Sequence, residues 1–280
     1  MQDRFNFRRS LAIGLIGLAP LWSSMLLAQD TAAWRGGWTA DVAGVRHVLY
    51  LVLHDGKISG FHCADCYDPD HLAFVDDGTL DGKGLHFRLY HSGTDYKPYL
   101  EQVDASLDHN ELQLTLNKPG AAAVHIVMKR SAPHEPAPTN RQPNQPSGGG
   151  PRTLPAAAAT VTADKVAGLW LWGIGPGKQY FIFKRHKDGL RGMVCGPCEN
   201  PRDFAPLENI RMNGTSFHFD IVHEDNGGGF EEHGPFTNIT EAVVAMNEMH
   251  ITTVPSFDLQ ARKIEMSLLG PVRYMPKVQP

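Results

Sequence analysis

No nucleophile elbow, phosphate-binding loop, dinucleotide fingerprint or pair of zinc-protease histidines occurs in the chain, which removes several large enzyme classes by their commonest signatures. Neither sign of charge dominates: 26 Lys and Arg stand against 30 Asp and Glu, scattered along the sequence. That balance argues against a nucleic-acid footprint and against a polybasic membrane patch. Beyond residue 28 no apolar run is long enough to cross a membrane as a helix. Cysteine is scarce too, with four residues in two close pairs, Cys63/Cys66 and Cys195/Cys198. Histidine, in contrast, is plentiful at 14, which raises the prior for metal or acid-base chemistry.

Residues 1–28 read as an export signal: Arg4, Arg8 and Arg9 form a positive start, Leu11 to Leu27 is mostly apolar, and Ala28 precedes a cleavage point. Arg8-Arg9-Ser10-Leu11 partly resembles a twin-arginine signal, although Phe7 stands where Ser or Thr is usual and no Lys follows. The expected location is periplasmic or secreted, with no membrane attachment beyond the signal.

A self-comparison finds a duplication. Gly60-Phe61-His62-Cys63-Ala64-Asp65-Cys66 aligns with Gly192-Met193-Val194-Cys195-Gly196-Pro197-Cys198 at an offset of 132, as do Leu85-His86-Phe87 with Phe217-His218-Phe219 and His91 with His223. Past a longer loop in the second copy the offset becomes 137, matching Pro98-Tyr99 with Pro235-Phe236 and Asn110-Glu111-Leu112 with Asn247-Glu248-Met249. One repeat spans 34–130 and the other 165–272. The segment 131–160 between them, rich in Pro, Gly and small residues, has too little apolar surface to order itself and reads as a flexible linker.

Within each copy the hydrophobic period is two. Leu85, Phe87, Leu89 and His91 share one face, and Phe217, Phe219, Ile221 and His223 repeat the arrangement. Val48 to Leu53 and Tyr180 to Phe183 are nearly all apolar, as strands covered on both faces should be. Asp55-Gly56, Asp77-Gly78 and Asp188-Gly189 are expected as hairpin turns. Asn238 to Met249 has helical propensity, but its counterpart Leu100 to Leu112 alternates like strands, and copies of one unit should share a fold. The expectation is an all-β protein: a tandem antiparallel meander, each copy a small barrel or curled sheet of seven or eight strands. In its short alternating strands and apolar interior faces the chain resembles lipocalin-like barrels in style.

Three roles are open to the cysteines: redox centre, metal ligand or staple. A redox dithiol belongs at the start of a helix, whereas this pair follows a strand and Asn200-Pro201 discourages a helix there. Two readings survive. Each pair closes its own disulfide, as an oxidising compartment permits, or the pairs meet across a pseudo-twofold axis and hold one zinc ion through Cys63, Cys66, Cys195 and Cys198. Apart from that zinc no cofactor is expected. A local site from His62, Asp68, Asp70 and His71 is set aside because Val194 stands opposite His62 in the second copy.

His91 and His223 end strands on the apolar parity, so their imidazoles should point to a barrel interior or mouth, either as core-closing residues or as general bases. The second copy adds Glu224 and Asp225 beside His223 and a glycine run at 227–229, which makes it the expected site. Glu111, Glu248, His86 and His218 fall on the polar parity, and Trp38, Trp170 and Trp172 are expected in the core or between copies. The leading expectation is an exported tandem β-barrel protein binding a small, partly apolar molecule inside a barrel or between the copies. A cofactor-independent periplasmic lyase, isomerase or hydrolase using His223 is the alternative, and a structural or zinc-binding envelope protein the third.

Overall fold

The computed structural model describes residues 33–131 and 160–272, apart from 55–56, 67, 82–83, 94–96, 174–177, 197, 199, 202–203, 224–235 and 261–262. Barrel 1 consists of β1 (Gly36–Val42), β2 (Val45–His54), β3 (Lys57–Ala64), β4 (Leu72–Asp81), β5 (Gly84–His91), β6 (Tyr99–Asp108), β7 (Glu111–Asn117) and β8 (Val124–Arg130). Barrel 2 consists of β9 (Gly168–Trp172), β10 (Gln179–His186), β11 (Gly189–Cys195), β12 (Phe204–Asn213), β13 (Ser216–His223), β14 (Phe236–Ala245), β15 (Glu248–Pro255) and β16 (Ile264–Val272). Each set pairs in sequence order, antiparallel throughout, and closes on itself. The all-β tandem meander expected from the period-two pattern is what the chain forms. The stretch with helical propensity is the hairpin β14–β15, where Thr240 and Ala242 face the interior and a reversal at Met246-Asn247 replaces any helix. Tertiary burial overrides local propensity there.

One turn expectation is corrected. Asp77-Gly78 lies inside β4, where the register against β5 shifts between Asp76 and Thr79 and Asp77 has a positive φ of 51°. This is a β-bulge, an extra residue that bends a strand without ending it. Barrel 2 has its bulge at the equivalent place, with Asn209 at φ 51° and the shift between Glu208 and Arg211. Asp and Asn tolerate the left-handed region better than other side chains, so the Asp-Gly signal marked the strain and not a chain reversal. Asp188 does sit in the β10–β11 turn, and Asp55-Gly56 lies outside the described residues.

Both interiors are filled with side chains. Trp38, Leu49, Leu51, Leu85, Phe87, Leu89, Val103, Leu112, Leu114 and Met128 are almost inaccessible in barrel 1, as are Trp170, Phe181, Phe183, Phe217, Phe219, Met249, Ile251 and Leu268 in barrel 2. An eight-stranded barrel has an interior just wide enough for such filling. One end of each barrel is also shut. In barrel 1 the Arg130 guanidinium lies 4.3 Å from the Trp38 ring and donates to the Arg35 carbonyl at 2.7 Å. In barrel 2 a single helical turn, α1 (Ala163–Val166), brings Val166 into the core and accepts from Trp170 Nε1 at 2.8 Å.

The outer faces of β2–β4 and β10–β12 share a second core. Val48, Tyr50, Phe61, Cys63, Cys66 and Leu72 pack with Tyr180, Ile182, Met193, Cys195, Cys198 and Phe204 in one buried cluster, and these twelve form pairs at the offset of 132. This explains why β2 and β10 are apolar at successive positions: one parity fills a barrel, the other the joint. Phe61 and Phe204 meet with ring centroids 4.3 Å apart. Cys63–Cys66 and Cys195–Cys198 are disulfides within their own copies, with Cα separations of 5.1 and 5.2 Å. Each CxxC pair is thus a staple, and both staples are built into the joint between copies. Lys184, where barrel 1 has Val52, is buried at the edge of the joint and donates to the carbonyls of Pro69 at 2.7 Å and Leu72 at 2.6 Å; burial lowers its ammonium to about 8. Beside it Asp76 Oδ2 lies 2.7 Å from Lys187 Nζ and 3.4 Å from His186 Nε2, and Ser92 donates to the Arg185 carbonyl at 2.9 Å.

Candidate functional site

The end of barrel 1 opposite Trp38 and Arg130 is formed by the connections after β1, β3, β5 and β7. Strand alternation fixes which side chains face inward there. On β2 the parity of Leu49 and Leu51 continues to His47 and Val45; on β3, His62 is in register with Leu49 and with Ala73 of β4. Ala73 is in turn opposite His91, and His91 is opposite Tyr99. Glu101 shares the face of Val103 and Ala105, and Val124 that of Ile126 and Met128. The inward ring at this mouth therefore carries His47, His62, His91, Tyr99 and Glu101 on β2, β3, β5 and β6, with Ala73 on β4, and is apolar where Val42, Val45, Leu116 and Val124 meet it.

The polar half is internally connected. His91 stacks on Tyr99 with centroids 4.5 Å apart and planes 5° from parallel, and its Nε2 lies 3.1 Å from Glu101 Oε2. Both side chains are nearly buried, so the carboxylate orients the imidazole and holds it against the ring. Next to them, His47 Nδ1 and His62 Nε2 are 3.2 Å apart. His62 is 5% exposed, and its other nitrogen, Nδ1, is buried with no hydrogen-bond partner among the described residues. Burial, reinforced by repulsion from His47 and His91, lowers His62 to about 3; burial also lowers His47, against the pull of Asp41. At neutral pH the His47–His62 pair is thus uncharged, sharing one proton between the facing nitrogens.

Barrel 2 ends differently. The residues equivalent to His47, His62, Tyr99 and Glu101 are Gln179, Val194, Phe236 and Asn238. Only the imidazole is retained: His223 stacks on Phe236 at 4.5 Å, its Nε2 is 3.0 Å from Asn238 Nδ2, and burial lowers it to about 4. An amide donating to Nε2 places the ring proton on Nδ1, and an amide cannot stabilise imidazolium as a carboxylate does. Phe257 packs on Phe236 at 5.3 Å, and Phe257, Leu259 and Ile264 are exposed on the same end. Glu224, Asp225 and the glycine run at 227–229 lie outside the described residues.

The remaining residues singled out in the sequence lie elsewhere. His86 is outside barrel 1 between Asp104 (2.7 Å) and Asp81 (3.5 Å), and the Asp104 hydrogen bond raises its pKa. His218 is its equivalent, between Glu241 (2.9 Å) and Asp220 (3.1 Å). Glu248 pairs with His250 at 3.2 Å and Glu111 approaches Lys129 at 4.0 Å. Asp68 caps the 3-10 turn Pro69–His71 by accepting from the Asp70 amide. Trp38 and Trp170 are barrel core, and Trp172 is partly buried against the core of barrel 2.

His47, Tyr99 and Glu101 were not singled out as site residues in the sequence, although a signal existed: His47 and Glu101 each break an otherwise apolar parity, ahead of Leu49-Leu51 and Val103-Ala105. His62 had no such signal, because β3 is buried on both faces where it lies between Phe61 and Cys63. Among the described residues no three His, Cys, Asp or Glu side chains are grouped so as to hold a metal ion. A depression of about 390 Å3 lies outside the barrel wall, lined by Arg88, Leu100, Gln102, Asn117, Lys118 and Pro119. It adjoins the mouth through Lys118, whose Nζ is 4.8 Å from the Tyr99 ring centroid. Compared with models of protein families, with curated proteins and with solved structures, the chain matches none.

Proposed function

We propose that the protein is an exported binding protein and that the mouth of barrel 1 receives a small, partly apolar molecule. The observation that carries this reading is the gathering of His47, His62, His91 and Glu101 on inward positions at one end of barrel 1, the one such cluster among the described residues. Buried polar groups are costly to a fold unless they are hydrogen-bonded or used. The filled interiors and the packed joint speak against a ligand inside a barrel or between the copies, as expected from the sequence, and support a place at this rim instead. Two disulfides are compatible with a periplasmic or extracellular location; a mature chain starting near Gln29 in mass spectrometry would support export, and an intact Met1 would oppose it.

The test replaces the mouth of barrel 1 with the residues of barrel 2, in the triple variant His47→Gln, His62→Val, Glu101→Asn. Thermal melting in the presence of octanol, octanone, octylamine or octanoate is expected to shift upward for the wild type with at least one probe and to stay unshifted for the variant. Equal shifts in both proteins would remove the site from this mouth. The His91–Glu101 contact of 3.1 Å favours a second reading, acid-base catalysis by a cofactor-independent lyase, isomerase or hydrolase. In that case His91→Gln abolishes turnover of a bound compound while leaving its binding intact; turnover that survives the substitution contradicts it.

A further inference from the structure

Resting on the mouth of barrel 1 as the binding site, we infer that its ligand is a neutral apolar molecule carrying one hydroxyl or carbonyl head, and that this head is the missing hydrogen-bond partner of His62 Nδ1.

The orphan nitrogen sets the head group. A buried polar atom without a partner destabilises the fold, and a ligand supplying that partner recovers the loss. The tautomer of the His47–His62 pair decides whether Nδ1 donates or accepts. If His47 Nδ1 carries the shared proton, His62 Nδ1–H donates to a carbonyl or hydroxyl oxygen. If His62 Nε2 carries it, Nδ1 is a lone pair that accepts from a hydroxyl. A hydroxyl satisfies both forms, a carbonyl only the first.

Charge excludes the ionic heads. A carboxylate would enter beside Glu101 and face His47 and His62, held uncharged by burial, while the cation described at the mouth, Lys118, lies over the Tyr99 ring at 4.8 Å. An ammonium would need Glu101, which is engaged with His91 at 3.1 Å, and would leave that imidazole without its partner. Desolvating either ion unpaired costs more than a single hydrogen bond returns.

The rim sets the body. Val45 and Val124 face inward by parity yet are 39% and 48% exposed, in contrast to Leu49 and Ile126 below them at 0% and 2%. Leu116, at 5%, pairs with Val124 on β7 and β8, and Val45 lies on β2 one inward position beyond His47, so the apolar shelf runs around the rim beside the histidines. A head at His62 with a chain laid on this shelf uses both halves of the ring, and the filled layer beneath stops it from going deeper.

The experiment titrates the full-length mature protein with octanol, octanoate, octylamine and zinc chloride in separate runs, following the imidazole NMR signals of His47, His62, His91 and His223. Octanol is expected to shift the signals of the first three and spare His223, and to bind about tenfold more weakly to His62→Val, which keeps the residue found in barrel 2 and should melt no lower than wild type. Val124→Ser, on the exposed shelf and outside the core, is expected to weaken octanol severalfold with the fold unchanged. Octanoate, octylamine or zinc binding more tightly than octanol at these imidazoles would overturn the neutral head and keep the mouth as the site. Octanol binding unchanged in both variants would overturn the assignment of His62 and the shelf. Silence of all mouth signals to all four probes would overturn the binding reading itself.

Discussion

The two barrels share strand order, bulge position and joint, yet their mouths differ: barrel 1 ends in His47, His62, His91, Tyr99 and Glu101, barrel 2 in Gln179, Val194, His223, Phe236 and Asn238. A duplicated unit under one packing constraint keeps what the constraint needs. The joint residues are retained as apolar pairs, Phe61 with Met193 and Leu72 with Phe204, because one buried cluster uses both members. The stacked imidazole is retained as well, so a ring closing the layer above Leu89 or Ile221 serves packing in both copies. What differs around it is the polarity of its neighbours. Packing explains the shared residues, and it does not explain the additional histidines and carboxylate of barrel 1.

The largest effects should fall on the shared part and be felt from either side of the joint. Phe61→Ala and Phe204→Ala each remove one ring of the same contact, and each is expected to cost about 3–5 kcal/mol in urea unfolding. A loss confined to one of them would mean that the joint does not depend on both rings of this contact.

Acid should then separate the barrels. His62 and His223 titrate lower in the folded than in the unfolded chain, so below the unfolded value of about 6.5 the unfolded state gains protons that the fold refuses. Stability therefore falls with pH from about 6.5 towards about 3 for His62 and towards about 4 for His223. His62→Val is expected to remove the larger part of this acid lability, a few kcal/mol, in melting followed against pH. An unchanged pH profile would mean that His62 is protonated in the fold.

The disulfides come next. Each closes a four-residue loop, for which chain entropy gives about 2 kcal/mol. Paired Cys→Ala substitutions in either copy should cost about that, equally, and the denatured wild type should show no free thiols on thiol counting. Four thiols and a released zinc ion would replace two staples by one metal link.

The smallest effect is the sharpest comparison. Asn238→Glu gives His223 the partner that His91 has, and its pKa should rise from about 4 in an NMR titration with little change in melting. No rise would mean that burial alone governs this imidazole.

Much of the architecture was legible because period-two patterning and an offset repeat are properties of the chain itself. The repeat even corrected the helical look of Asn238 to Met249, since only one copy carried the misleading propensity. Asp77-Gly78 misled because turns and bulges demand the same positive φ. The site was legible in part. His91 and His223 stand out by parity, but Glu101 reaches His91 across a strand pair, ten residues away in sequence, and sequence neighbourhood pointed to Glu224 and Asp225 instead. His62, weighed only beside Asp68, Asp70 and His71 and set aside, was not legible as an inward residue because the joint buries the other face of its strand, which erases the alternation that reveals inward positions.

The most direct test of the mouth of barrel 1 as the ligand end is paramagnetic NMR with a nitroxide-labelled octanol. Broadening of the His47, His62 and His91 signals with His223 left sharp is the expected result; broadening centred on His223, or equal at both mouths, would contradict it.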